Sequence, residues 1–141
     1  MTNSPYPCLW FDGRAAEAAR LYTSVFPDSR IVADQGAVVT FELNGSPFMG
    51  LNGGPQFGFN EAVSFVISCE TQQEIDHYWE RLTADGGSEG NCGWLKDKFG
   101  VSWQVVPAEL PALLGDPERA PRVVAAFQLM KKMDIAALRE A

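Results

Sequence analysis

The chain has 141 residues, of which 46% are hydrophobic and 21% are charged, so one domain with a real hydrophobic core is the natural expectation. The formal net charge of −7 argues against a nucleic-acid-binding protein, because phosphate contacts require clustered lysine and arginine. No apolar run is long enough to cross a bilayer, and the first residues, MTNSPYPC, lack the pattern of a signal peptide. The three scattered cysteines, Cys8, Cys69 and Cys92, do not suggest a disulfide framework. We therefore expect a cytoplasmic protein without a nucleic-acid or membrane partner.

The first half of the chain predicts a strand, a helix and three further strands. A short apolar run at residues 8–11 fits a buried strand, and the apolar spacing from Arg14 to Phe26 fits one face of a helix. Pro27 cannot continue that helix. Strands are then predicted at residues 30–34, 37–43 and 47–51, with Asn44-Gly45 as a hairpin turn.

The second half repeats this order. A strand at residues 63–69 precedes a helix from Thr71 to Ala84, in which Thr71 and Glu74 have the spacing of a capping box. Strands follow at Trp94–Asp97 and Val101–Val106, and one strand of this copy is weak. The charged segment LKDKFG between them is predicted as a solvated hairpin tip.

A shift of 56 residues aligns the two halves without a gap. Leu9-Trp10-Phe11 then falls on Phe65-Val66-Ile67, and Tyr22 falls on Tyr78. Each half is therefore a βαβββ unit, and the predicted fold is α+β: two modules forming an open barrel-like sheet around a cleft. Residues 108–141 are predicted as a helical tail, broken at Gly115-Asp116-Pro117, with Asp134 as a helix cap.

Three segments resemble the PhnB-like branch of the vicinal oxygen chelate superfamily, which includes glyoxalase I, bleomycin-resistance proteins and extradiol dioxygenases. They are LWFDGRAAEAARLYTSVFPDSRI, CGWLKDKFGVSWQVVP and RVVAAFQLMKKMDIAALREA. The resemblance implies a single vicinal oxygen chelate domain over residues 1–141, with module one at 5–54, module two at 60–107 and the tail at 108–141. It also implies a homodimer, for which the apolar face of the tail offers a contact surface.

Members of this branch often carry the label demethylubiquinone methyltransferase. A common methyltransferase fold needs a glycine-rich turn after its first strand, whereas this chain has DGRAAE there. We therefore expect no methyltransferase activity.

Catalytic members of the superfamily typically hold a divalent metal with His, Glu or Gln side chains on the first and last strands of both units. The resemblance places those ligand positions at Pro7 or Cys8, at Phe48 or Met49, at Ser64 and at Gln104. This set lacks histidine and carboxylate, and the one histidine, His77, lies off the apolar stripe of the second helix. We therefore expect no metal and no other cofactor.

The sequence predicts a small-molecule pocket but identifies no catalytic residue. The residues expected to line the cleft are Phe11, Phe48, Ser64, Trp94, Ser102 and Gln104. Strand aromatics are also typical of a core, and Gln104 could instead satisfy a backbone group. Cys92 lies in a loop without a neighbouring base in sequence, so it is not predicted as a nucleophile.

Three functional hypotheses remain open on the sequence. The first is a metal-independent pocket for a small organic molecule, with or without turnover. The second is a sequestering binder similar to bleomycin-resistance proteins, in which an aromatic groove with carboxylates holds a cationic drug. The third is a metal-dependent glyoxalase- or dioxygenase-type enzyme, which requires Cys8, Glu42 and Gln104 to converge.

Overall fold

The structure is a computed structural model that describes residues 3–141, and it divides into two units at the Phe59–Asn60 bond. The first unit pairs one helix with a four-stranded sheet. Its elements are β1 (Cys8–Phe11), α1 (Ala15–Val25), β2 (Arg30–Asp34), β3 (Val38–Leu43) and β4 (Ser46–Asn52). The strand order is β1-β4-β3-β2, with β1 parallel to β4 and the other pairs antiparallel.

The second unit repeats this arrangement and adds the carboxyl-terminal helices. Its elements are β5 (Ser64–Cys69), α2 (Gln72–Thr83), a 3-10 turn (Ala84–Gly86), β6 (Ser88–Glu89), β7 (Trp94–Lys96), β8 (Ser102–Pro107), α3 (Leu110–Leu114), α4 (Ala120–Phe127) and α5 (Ile135–Glu140). The order β5-β8-β7-β6, with β5 parallel to β8, has the same connectivity as the first sheet.

The predicted α+β fold of two βαβββ modules is confirmed, and the predicted strand and helix ends agree with the structure to within one residue. The weak strand of the second copy is β6, which has two residues. The capping box is present, since Thr71 Oγ1 accepts a hydrogen bond from the Glu74 backbone N–H and the Glu74 carboxylate accepts one from the Thr71 N–H. Asp134 caps α5 by accepting from the Ala137 N–H at 3.1 Å.

Each unit has its own hydrophobic core between sheet and helix. The aligned residues Tyr22 of α1 and Tyr78 of α2 are both buried, as the internal repeat predicts. The tail contributes further buried side chains to the second unit: Val123, Met133, Ile135 and Leu138. Part of its apolar face is therefore used within the chain itself. Within residues 3–141, no helix combines the length and the apolar character that a membrane span requires.

Candidate functional site

A row of polar side chains crosses the second sheet. The strand register pairs Ser88 with Lys96, Lys96 with Ser102, and Ser102 with Ser64. Directly opposed residues of neighbouring strands point to the same face of a sheet, so these four side chains form one row across all four strands.

This row lies on the face opposite α2. Trp103 is 2% exposed and lies opposite Leu95 in the strand register. Leu95 in turn lies opposite Glu89 of β6, so these three side chains share the other face of the sheet. The Glu89 carboxylate accepts a hydrogen bond from Trp79 Nε1 of α2 at 2.7 Å, which identifies the helix-facing side. Gln104 follows Ser102 by two residues along β8 and therefore lies on the same face as the row, opposite to Trp103.

A cavity of about 500 Å³ opens on this part of the second unit. Its lining residues are Glu61, Ser88, Glu89, Gly90, Asn91, Trp94, Leu95, Lys96 and Ser102. The volume lies in the range typical of small-molecule sites. The lining combines an indole ring, hydroxyl groups, an amide and one ammonium group.

The charged pair at the cavity is Lys96 with Glu61, whose Nζ and Oε2 atoms are 2.8 Å apart. The hydrogen bond from Lys96 holds the pKa of the Glu61 carboxyl below its ordinary value. Both side chains are substantially exposed, so solvent screens this pair and it adds little to stability. A charged ligand group can therefore exchange with either partner at small cost.

Ser102 is the unusual residue of the row. It is 1% exposed, and its Oγ has no hydrogen-bond partner among residues 3–141. A buried hydroxyl without a partner costs about 1–3 kcal/mol, so native proteins rarely retain one without a reason.

Gln104 has a partner that the sequence did not predict. Its Nε2 donates to Ser64 Oγ at 3.0 Å, across the parallel β5–β8 pair. The side chain thus satisfies a neighbouring hydroxyl rather than a backbone group. Trp94 lies directly opposite Gln104 in the β7–β8 register, so four of the six predicted pocket residues share this face of one sheet.

Phe11 and Phe48 lie elsewhere, on the α1-facing side of the first sheet. A Cβ added at Gly50 would meet both Ala15 of α1 and the Phe11 ring, at 3.1 and 3.5 Å. Phe48 pairs with the buried Phe41, and their rings stack with centroids 5.5 Å apart. Side chains alternate between the two faces along each strand, and this alternation directs Phe11 and Phe48 to the face that packs against α1.

At the positions where the resemblance places metal ligands, the Ser64 hydroxyl and the Gln104 amide bond to each other. In the first unit, Pro7 and Phe48 have no side-chain donor atom, whereas the alternatives Cys8 and Met49 each carry a sulfur atom. The Glu42 carboxylate, required by the metal hypothesis, is paired with Arg30 at 3.1 Å. Residues 3–141 contain no group of three or more His, Cys, Asp or Glu side chains that could hold a metal ion.

The LKDKFG segment corrects one prediction, because its central Asp97 is not solvated. Asp97 is 2% exposed, and its carboxylate accepts hydrogen bonds from the N–H groups of Phe99 and Val101 and from Trp103 Nε1. The charge is therefore buried in the turn and fixes the β7–β8 hairpin. The D-x-F-G spacing of an Asx turn was the local signal that could have revealed it.

Two four-stranded sheets, each with its first strand parallel to its fourth and one covering helix, define the glyoxalase-like class of α+β proteins. Residues 3–106 match the model of a family described as 3-demethylubiquinone-9 3-methyltransferase. The PhnB protein of Bacillus cereus is 34% identical, with a TM-score of 0.69 and an alignment that covers 75% of this chain and 100% of that one. The chain belongs to this PhnB-like family, which is part of the vicinal oxygen chelate superfamily.

More distant structures share the fold alone. Protein PA1353 of Pseudomonas aeruginosa is 21% identical, with a TM-score of 0.58 over 75% of this chain and 98% of that one. The fosfomycin resistance protein FosX of Listeria monocytogenes, solved with Mn(II) and sulfate, is 16% identical, with a TM-score of 0.56 over 82% of this chain and 97% of that one. Among curated proteins, none matches the chain.

Proposed function

We propose that the second unit binds a small organic molecule in the 500 Å³ cavity through protein side chains alone, without a metal. The observation that carries this proposal is Ser102, which lines the cavity and whose buried hydroxyl has no hydrogen-bond partner in the part of the chain that the structure describes. A ligand polar group that reached Ser102 would compensate the desolvation of this hydroxyl. The indole of Trp94 supplies the apolar contact area that such sites need.

The donor set supports a metal-independent site. Of the positions at which the resemblance places metal ligands, Ser64 and Gln104 form a hydroxyl–amide pair, and the first unit offers Pro7 or Cys8 and Phe48 or Met49. Neutral groups already bonded to each other are poor ligands for a divalent ion. We therefore favour a metal-independent site for an organic ligand over metal-dependent chemistry of the glyoxalase or dioxygenase type.

The methyltransferase description of the family is not carried over to this chain. Doubly wound methyltransferase sheets are parallel and bind their cofactor beside a glycine-rich turn after the first strand. Here each sheet contains antiparallel pairs, and the turn after β1 is Asp12-Gly13-Arg14. The family name describes its model and not the chemistry of this site.

The test is a thermal-shift screen of small aromatic, acidic and cationic compounds in the presence of EDTA. We expect a compound that raises the melting temperature of the wild type and of Ser46→Ala equally. Ser46 is an exposed serine at the start of β4 in the other unit and serves as the matched control. The same compound should bind at least about tenfold more weakly to Ser102→Ala and Trp94→Ala, the loss expected for one buried hydrogen bond or aromatic contact. Binding that appears only after a divalent metal is added would contradict the proposal.

A second candidate is a sequestering binder for a cationic compound. The observation in its favour is that the Glu61 carboxylate lines the cavity together with Trp94. A cation beside an indole and a carboxylate is stabilised by ring and charge attraction. Neutral, cationic and anionic analogues of one aromatic scaffold separate the two candidates. Preference for the cation that disappears in Glu61→Gln, without any turnover of the compound, supports the sequestering function.

The homodimer and the cytoplasmic location stay predictions. For the dimer, the half-buried part of the tail, including Val124 and Phe127, is the surface that we propose for contact. Sedimentation velocity of the full chain measures this directly.

A further inference from the structure

The carboxyl-terminal segment from Met130 to Ile135 runs beside the loop that forms one wall of the cavity. The Cys92 N–H donates to the Met130 carbonyl and the Gly93 N–H donates to the Lys131 carbonyl, both at 2.8 Å. The neighbouring residues Gly90, Asn91 and Trp94 line the cavity. We call residues 130–135 the strap and residues 90–94 the wall loop.

The wall loop needs this support because its backbone is strained. Cys92 has φ of 60°, which is uncommon for a residue with a side chain, and such conformations persist only when their surroundings hold them. Gly93 has φ of 84°, and a Cβ there would lie 2.7 Å from the Val105 carbonyl oxygen and 3.2 Å from Met133 Cγ. The strap and β8 therefore enclose the wall loop from two sides.

The strap is itself fixed by one side chain of α2. Gln72 Nε2 donates to the Met133 carbonyl at 3.0 Å, and Gln72 Oε1 accepts from the Ile135 N–H at 2.9 Å. The Gln72 amide thus satisfies the Met133 carbonyl and the Ile135 N–H, two backbone groups near the carboxyl end of the strap. Lys132 adds an ion pair with Asp76 of α2 at 2.8 Å.

We propose that the strap holds the wall loop of the cavity in its strained conformation and that Gln72 is its positioning residue. That the wall loop belongs to a binding site rests on the proposed function. That the strap holds the wall loop in place does not depend on it. The family match ends at residue 106, so the strap lies beyond the matched region. The strap therefore makes the shape of this cavity a property of the extended chain and not of the shared βαβββ core.

The experiment compares Gln72→Leu with Gln73→Leu in the full chain, both in a Cys8→Ser background. Gln73 is the adjacent, exposed residue of α2 and is the matched control. The readouts are amide hydrogen exchange at Gly90 and Trp94 and the rate at which Cys92 reacts with a thiol reagent. Cys69 stays silent in this assay, because burial raises the pKa of its thiol to about 12.

We expect Gln72→Leu to accelerate exchange in the wall loop and the Cys92 reaction by at least about tenfold, because both hydrogen bonds between the Gln72 amide and the strap are lost from the closed state. Gln73→Leu should leave both rates at the wild-type value. Exchange at Ile67 in the buried β5 strand reports global opening and should not change. Unchanged wall-loop rates in Gln72→Leu, or an equal acceleration at Ile67, would overturn the proposal.

A second variant keeps the test decisive if Gln72→Leu folds poorly. Asp76→Asn removes only the charge that pairs with Lys132 and should give a smaller acceleration of the same wall-loop amides. Because neither readout requires a ligand, the strap can be established even if no compound binds the cavity. A failed ligand screen with an intact strap effect would reject the proposed function alone.

Discussion

The Asp97 carboxylate accepts a hydrogen bond from Trp103 Nε1 at 2.9 Å, which ties the turn of the β7–β8 hairpin to its buried strand. The same carboxylate caps the turn by accepting from the backbone N–H groups of Phe99 and Val101 at 2.9 and 3.1 Å. A buried charge is tolerable when several donors surround it in this way.

Replacing Asp97 by Asn should destabilise the chain by about 3 kcal/mol, because an amide cannot accept from all three donors and charge-assisted bonds are lost. The measurement is the free energy of unfolding in urea. In a double-mutant cycle with Trp103→Phe, which removes the indole N–H, we expect a coupling of about 1–2 kcal/mol. Additive effects of the two substitutions would show that the Asp97–Trp103 bond contributes nothing of its own.

The hydrophobic pattern of the sequence predicts nearly all of the fold, including both strands of this hairpin, but not the buried carboxylate in its turn. The apolar spacing predicts both βαβββ units because each strand or helix carries its own local pattern, as Tyr22 and Tyr78 illustrate. Asp97 was missed because its burial depends on Trp103, whose ring the local charge pattern LKDKFG does not reveal.

The candidate site was predictable to the extent that it follows strand alternation. That rule placed Ser102 and Gln104 on one face of β8 correctly. It could not reveal that Ser102 has no hydrogen-bond partner within the described range 3–141, since this depends on where every neighbouring donor and acceptor lies. The Gln72 contacts were also out of reach, because they join residues 61 and 63 positions apart.

Ser102→Ala should raise stability while it weakens ligand binding. Removing a buried hydroxyl without a partner eliminates its desolvation cost, so we expect a gain of about 1 kcal/mol, or a few degrees in melting temperature. Ser64 is the matched control, because it lies opposite Ser102 in the register but accepts from Gln104. Ser64→Ala should lose about 1 kcal/mol by leaving the Gln104 amide unpaired. A loss of stability in both variants would mean that Ser102 has an unrecognised partner.

Gly53 is required by the Trp10 ring that packs on it. A Cβ at Gly53 would overlap the six-membered ring of the Trp10 indole, and Trp10 Nε1 also donates to the Gly54 carbonyl at 2.9 Å. Gly53→Ala should therefore cost about 1–3 kcal/mol through overpacking. Gly58→Ala is the control, because a Cβ there meets nothing within 4 Å, and it should be neutral or slightly stabilising. Equal stability of the two variants in urea denaturation would refute the packing argument.

The donor groups of Ser64, Gln104 and their neighbours predict that the protein retains little divalent metal. Protein purified without a histidine tag and incubated with Mn²⁺, Ni²⁺, Zn²⁺ or Fe²⁺ should retain well under one equivalent after desalting, because hydroxyl and amide groups bonded to each other bind these ions weakly. Elemental analysis is the measurement. Near-stoichiometric retention of one ion would restore the metal-dependent hypothesis.

The ion pair between Asp76 and Lys132 predicts how the strap responds to acid. Hydrogen bonds from Lys132 and Gln72 lower the pKa of Asp76 from its ordinary value of 3.8. A carboxyl whose pKa is lower in the folded state stabilises the fold above its unfolded pKa and loses that contribution as pH falls through the folded value. The window therefore lies below about pH 4.

We expect Asp76→Asn to be less stable than the wild type by at most about 1 kcal/mol at pH 6, since both partners are nearly half exposed and solvent screens them. The difference should shrink as the pH falls below about 4 and the Asp76 carboxyl of the folded wild type takes up a proton, and it should also shrink in about 0.5 M salt. Urea unfolding at each pH measures it, with Asp12→Asn as the control at an exposed carboxylate of the first unit. A difference of the same size across this pH range would show that the Asp76 side chain acts through its hydrogen bond with Gln72 and not through its charge.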